Sequence, residues 1–165
     1  MRTVAASPIT QPAAMATLCR GIHDRWGGAD LWLHCAVHAA PLTPAGHLDA
    51  KDWEKSVTVN ATATATLIGM VEPLLRARRG RAVFFDDPRA GQKFFAAYGA
   101  TKAAQMALAR SWQAETAGLG EIAVQVLTPR PMPTATRARF FPGEDRAKLH
   151  DPRDEAARLL AELGL

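Results

Sequence analysis

Ala97-Tyr98-Gly99-Ala100-Thr101-Lys102-Ala103-Ala104 is the stretch on which the reading of this chain turns. As a helix it puts Tyr98 and Lys102 four residues apart, one turn above the other on a single face. A cation that close favours the phenolate, so it is expected to lower the tyrosine's pKa from its reference of about 10. A phenol tuned in this way gives or takes a proton near neutral pH. The same spacing also arises on any alanine-rich helix with a surface Tyr and a solvated Lys, so the flanks decide between the two.

Tyr98 follows a strand-like run, Arg81-Ala82-Val83-Phe84-Phe85, and a loop over residues 86–93. Its helix is expected over 96–117, where Gly118 and Gly120 bracket a turn into a second strand, 122–127. Upstream, 31–36 reads as a brief apolar strand of the kind found inside a parallel sheet. Before it, Ala14, Leu18, Ile22 and Trp26 recur at helical spacing, with Thr10 as cap, Pro12 in the first turn and Gly27-Gly28 as stop. Residues 2–6 form another short β-compatible run, ended by Ser7-Pro8. Asp49 can cap a segment running to about Arg78, with Gly80 as its stop. The middle of that segment, 60–66, alternates with period two, which is a strand signal. Residues 129–142 read as a proline-rich loop and 152–163 as a closing helix. This alternation predicts an α/β fold, a parallel sheet with helices on both faces, in one domain spanning 1–165.

The composition is that of an ordinary globular protein, with 48% hydrophobic and 22% charged residues and a formal net charge of +4. Arg76, Arg78, Arg79 and Arg81 cluster where a helix ends, and cations there complement the helix dipole. No aromatic or Gly-rich RNA-binding signature accompanies them, so no nucleic-acid partner is expected. Cys19 and Cys35 make no disulfide framework and fit a reducing compartment. The first residues hold no sustained apolar run, and no stretch approaches the roughly 18 apolar residues of a membrane span. A cytoplasmic protein without membrane partners is the expectation. His34, His38 and His47 could be imagined around a metal, but no motif places further ligands and no metal is expected.

Taken in order, the segments 30–36, Val57-Thr58-Val59-Asn60, 81–85, the Tyr98/Lys102 helix and 122–127 form a pattern. It ends in a Thr128-Pro129 turn, with Thr134 five residues past the proline. Together these resemble the short-chain dehydrogenase/reductase family, a Rossmann-type group of NAD(P)-dependent oxidoreductases. The tail Arg137-Ala138-Arg139-Phe140-Phe141-Pro142-Gly143-Glu144-Asp145, followed by Lys148-Leu149, looks most like its YciK-like branch. The resemblance runs over nearly all 165 residues but covers only the later part of the family domain.

The resemblance implies a Rossmann-like three-layer αβα fold and a helix, not a strand, through 60–66. The strands correspond to the family's third to sixth, and a truncated sheet of about four parallel strands is expected. Placing 2–6 beside 31–36 keeps the crossover right-handed; otherwise a second chain would fill that position. The resemblance also implies catalytic roles for Tyr98 (proton transfer), Lys102 (lowering the tyrosine pKa and contacting the ribose) and Asn60 (holding a water relay). NAD or NADP would be the cofactor, with Lys102, Ala36 and Thr134 at cofactor-binding positions. The helices over 60–76 and 98–115 would pair with their copies in a homodimer, helped by small residues Ala61, Ala65, Gly69, Ala100, Ala104 and Ala107.

Several positions depart from the family pattern. The T-G-x-x-x-G-x-G turn that cradles pyrophosphate has no counterpart, and no G-x-G-x-x-G run occurs. Cys35-Ala36-Val37 stands for N-A-G, and Pro129-Arg130 for Pro-Gly. No Ser occurs between Arg81 and Tyr98, and Asp87 falls at the position of the family's catalytic Ser. A carboxylate there would repel a developing oxyanion. The first expectation is therefore a dimerising, non-catalytic module with degraded cofactor binding. The alternative is an NAD(P)-dependent oxidoreductase acting on a small carbonyl or alcohol, its nucleotide site completed by another chain. A third is a cofactor-free enzyme using Tyr98 and Lys102 as an acid/base pair.

Overall fold

β1 (Leu31–His34), β2 (Arg81–Phe85) and β3 (Ala123–Leu127) pair in parallel, in the order β1-β2-β3, in a computed structural model that describes residues 8–165. Leu31 is in register with Arg81, and Arg81 with Ala123. The strand expected over 2–6 lies outside the described residues, so the described sheet has three strands of the four anticipated. The helices are α1 (Pro12–Trp26), α2 (Ala50–Ser56), α3 (Ala63–Arg78), α4 (Ala96–Thr116), α5 (Ala135–Phe140) and α6 (Pro152–Glu162).

β2 alternates across two apolar layers, as a central parallel strand must. Ala82 and Phe84 face Val71 and Leu75 of α3 and Met106, Ala109 and Trp112 of α4. Val83 faces the opposite way and meets Leu127 of β3 and Leu159 of α6. Trp32 of β1 joins the first layer, with its ring centroid 5.1 Å from that of His34 and 5.4 Å from that of Phe84, both edge-on. On the other face of β1, Leu31 and Leu33 remain 36% and 41% exposed.

The alternating stretch 60–66 is helical. Residues 50–78 run without interruption through α2, a π-helical turn at Val57–Thr62, and α3. Burial explains why helix prevails over the β-branched pattern. Asn60, Ala63, Thr64 and Leu67 lie on one buried face at helical spacing, whereas period two would have buried alternate residues.

Four local expectations are corrected. The cap position of α1 is Gln11, not Thr10, and Leu18 and Trp26 are exposed because α1 leans mainly on α3. The left-handed residue closing α3 is Arg79, at φ 51°, and not Gly80. Gly80 is needed for close approach, since a Cβ there would sit 2.5 Å from the Ala29 carbonyl oxygen. The loop expected over 129–142 contains α5, whose N-terminus is capped by Thr134.

Candidate active site

The carboxyl ends of β1 and β2 and the first turns of α4 bring Asn60, Tyr98, Lys102 and the Ala36 carbonyl into one region, as expected for an open α/β sheet. Gly99 is what lets the loop after β2 lie against α4. A Cβ at that position would be 2.7 Å from the Arg89 carbonyl oxygen.

Tyr98 is buried, with its ring centroid 4.9 Å from Phe140 and 6.4 Å from Phe95. Its hydroxyl donates to Asp87 Oδ2 at 3.1 Å, and Asp87 Oδ1 accepts from Arg89 Nε at 2.8 Å. The Arg89 guanidinium lies over Phe95 and Phe141, 5.7 and 5.2 Å from their ring centroids. Burial, then the Asp87 charge and hydrogen bond, push the phenol well above its ordinary range, while Arg89 opposes the rise. The expected lowering by Lys102 is thus overturned. Burial of the ring and the carboxylate in contact with the hydroxyl set the direction, and the Lys102 ammonium points to Gln105 instead.

Lys102 is 6% exposed and its Nζ donates to Gln105 Oε1 at 2.6 Å. Burial lowers its pKa from 10.5 to about 8, against the pull of Asp86, Asp87 and Cys35. Gln105, also buried, lies with its Nε2 3.1 Å from His34 Nε2 and donates to Thr64 Oγ1 at 3.1 Å and to the Ala36 carbonyl at 3.4 Å. The Thr64 hydroxyl donates to the Asn60 carbonyl at 2.8 Å and lies 3.0 Å from His34 Nε2. A neutral His34 satisfies only part of this cluster at a time: the single Thr64 hydroxyl proton goes to the Asn60 carbonyl, so the 3.0 Å contact needs the ring proton on Nε2, whereas the 3.1 Å Gln105 contact needs that nitrogen free. Burial and then the Lys102 charge lower the His34 pKa to about 4, in keeping with a neutral ring.

Asn60 is fully buried in the π-helical turn. Its Oδ1 accepts from the His38 amide at 2.6 Å, and its Nδ2 donates to the His38 carbonyl and to Thr101 Oγ1, both at 2.9 Å. Its amide clasps the loop after β1 to α4. Ala36 reaches the cluster through its carbonyl, whereas exposed Thr134 is engaged in capping α5.

Gln105 and Thr64 were missed from sequence, although both sit at helical spacing from named residues, Gln105 three past Lys102 and Thr64 four past Asn60. Polar side chains on an otherwise buried face were the available signal. Arg130 bonds to buried Glu155 through both its backbone amide, at 2.8 Å, and its Nε, at 2.6 Å. This ties the loop after β3 to α6. Among the described residues, no three His, Cys, Asp or Glu gather as a metal site would require, and no helix is long and apolar enough to cross a membrane.

Comparison with known proteins places this geometry in context. The family model described as short chain dehydrogenase matches residues 3–145. No curated protein matches the chain. Among solved structures, the oxidoreductase yciK from E. coli is 28% identical at a TM-score of 0.80, covering 87% of this chain and 59% of its own. A short chain dehydrogenase from Escherichia coli CFT073, complexed with NADPH, is 28% identical at a TM-score of 0.81, with coverage of 87% and 60%. One from Salmonella enterica is 26% identical at a TM-score of 0.84, with coverage of 92% and 63%. The chain therefore spans about three-fifths of the length of these structures.

Proposed function

Because the chain belongs to the short-chain dehydrogenase family, we propose that it keeps that family's fold and its Tyr98/Lys102 pair without efficient nicotinamide binding or redox turnover. It acts as a non-catalytic module that dimerises in the cytoplasm through the outer faces of α3 and α4. The observation that carries this reading is the position of Lys102. Its ammonium, the group a ribose would need, is taken into the core by Gln105 at 2.6 Å. A buried ammonium that already has a partner gains little from a new one. The residues present at this site therefore do not fit a nicotinamide dinucleotide: the Lys102 ammonium is already engaged, and Val37 stands where the family pattern carries glycine.

Calorimetric titration with NADP(H) and NAD(H) tests the reading. The expected outcome is no binding tighter than millimolar and no nucleotide-dependent oxidation or reduction of small alcohols and carbonyls. Micromolar binding that Lys102→Ala abolishes would refute it. That result would favour the second reading, an oxidoreductase whose nucleotide site another chain completes. The observation favouring this alternative is the exposed pair Leu31 and Leu33 on β1, an apolar surface a further layer could cover.

A further inference from the structure

We infer that Asp87 is a positioning residue that caps Tyr98, so that the phenol exchanges its proton with a ligand only once that carboxylate is displaced or neutralised. The hydroxyl's hydrogen goes to Asp87 Oδ2 at 3.1 Å, and the ring is packed between Phe95 and Phe140. The carboxylate is itself fixed. Its other oxygen holds Arg89 at 2.8 Å, and Arg89 is in turn tied to Gln92 at 3.2 Å and laid over two phenylalanine rings.

Among the described residues, charged groups face the pair from the loop after β2, from α5 and from α4. From the loop after β2 come Asp86, Asp87 and Arg89, with Asp86 paired to Arg110 of α4 at 2.7 Å. From α5, Arg137 faces Asp87 and is bound to Glu144. Lys102, on the same helix as Tyr98, faces Asp86 and Asp87 from the core side. Loss of the Tyr98 proton would set a phenolate directly against a carboxylate, with Arg89 the cation that offsets it. The cap thus favours the protonated phenol and occupies its one donor direction.

The chain has a single tyrosine, so near-ultraviolet tyrosinate absorbance reports Tyr98 alone. The test is an alkaline titration of the full chain, with helix content followed in parallel by circular dichroism. In Asp87→Asn the phenol is expected to ionise about tenfold more readily or better, with its helices intact. Arg89→Gln, which removes the offsetting cation, is expected to move the phenol the other way. Asp87→Ala gives the same reading should the asparagine variant not fold. A phenol in the Asp87 variants that titrates within a factor of about three of wild type, or an Arg89→Gln phenol that ionises earlier, would overturn the inference. The inference rests on reading Tyr98 as the retained proton-handling group. Its test is separate, because cofactor calorimetry could fail while the phenol titration held, and the reverse.

Discussion

Replacing Lys102 by methionine should leave a signature in the pH dependence of stability. The native amine titrates at about 8 against 10.5 when unperturbed. Each pKa unit corresponds to about 1.4 kcal/mol, so burial of the ammonium costs the folded state about 3 kcal/mol at neutral pH. Below the native pKa both states hold the proton and the cost is fully present. Between about 8 and 10.5 the unfolded chain binds more protons, so wild-type stability rises with pH and the cost is gone at the top of that window. The methionine variant escapes this cost but leaves Gln105 Oε1 without its donor, a loss of about 1–3 kcal/mol that does not depend on pH. The variant should therefore match or exceed wild type near neutrality by about 0–2 kcal/mol, and fall below it by about 1–3 kcal/mol above the window. Urea unfolding at a series of pH values, followed by circular dichroism, measures the difference. A difference between the two proteins that stays flat within about 0.5 kcal/mol would refute the reasoning.

His34 gives a second linkage, at acid pH. Its native pKa of about 4 lies below the ordinary 6.5, so the stability it contributes is present above that value and lost as pH falls toward the native one. Wild type should lose about 3 kcal/mol more than His34→Phe over this window in urea titrations. Gly99→Ala should destabilise by about 1–3 kcal/mol in thermal or urea unfolding, because the new methyl meets the Arg89 backbone rather than a yielding side chain. If α3 and α4 form the dimer face, Ala104→Arg, at an exposed position on α4, should convert a dimer to a monomer in sedimentation velocity without loss of helix.

What could be read without coordinates was the sequence of elements and the identity of the buried helices. β2 declared itself by its unbroken apolar run, and the helix holding Tyr98 and Lys102 began at the residue expected. The helix through 60–66 needed the family resemblance, since local propensity argued for a strand and only the burial of one helical face overruled it. α5 was hidden because its flanking prolines read as loop, while its cap, Thr134, had been read as a cofactor position. The chemistry was the least legible part. Spacing along a helix places Tyr98 and Lys102 on one side, but it cannot say which side chain from another element reaches either group first. Burial comes first for both groups; Asp87 then arrives at the phenol from the loop after β2, and Gln105 takes the amine from the next turn of α4.

The uneven covering of β1 bears on how the molecule breathes. β2 is screened on both faces, whereas among the described residues β1 is packed on the side of Trp32 and His34 and leaves Leu31 and Leu33 exposed. Amide exchange should therefore be graded across the sheet, slowest at Ala82 to Phe84 and faster at β1, whose transient openings need lose less packing. Those openings would carry His34 away from Gln105, coupling the margin of the sheet to the amine at position 102.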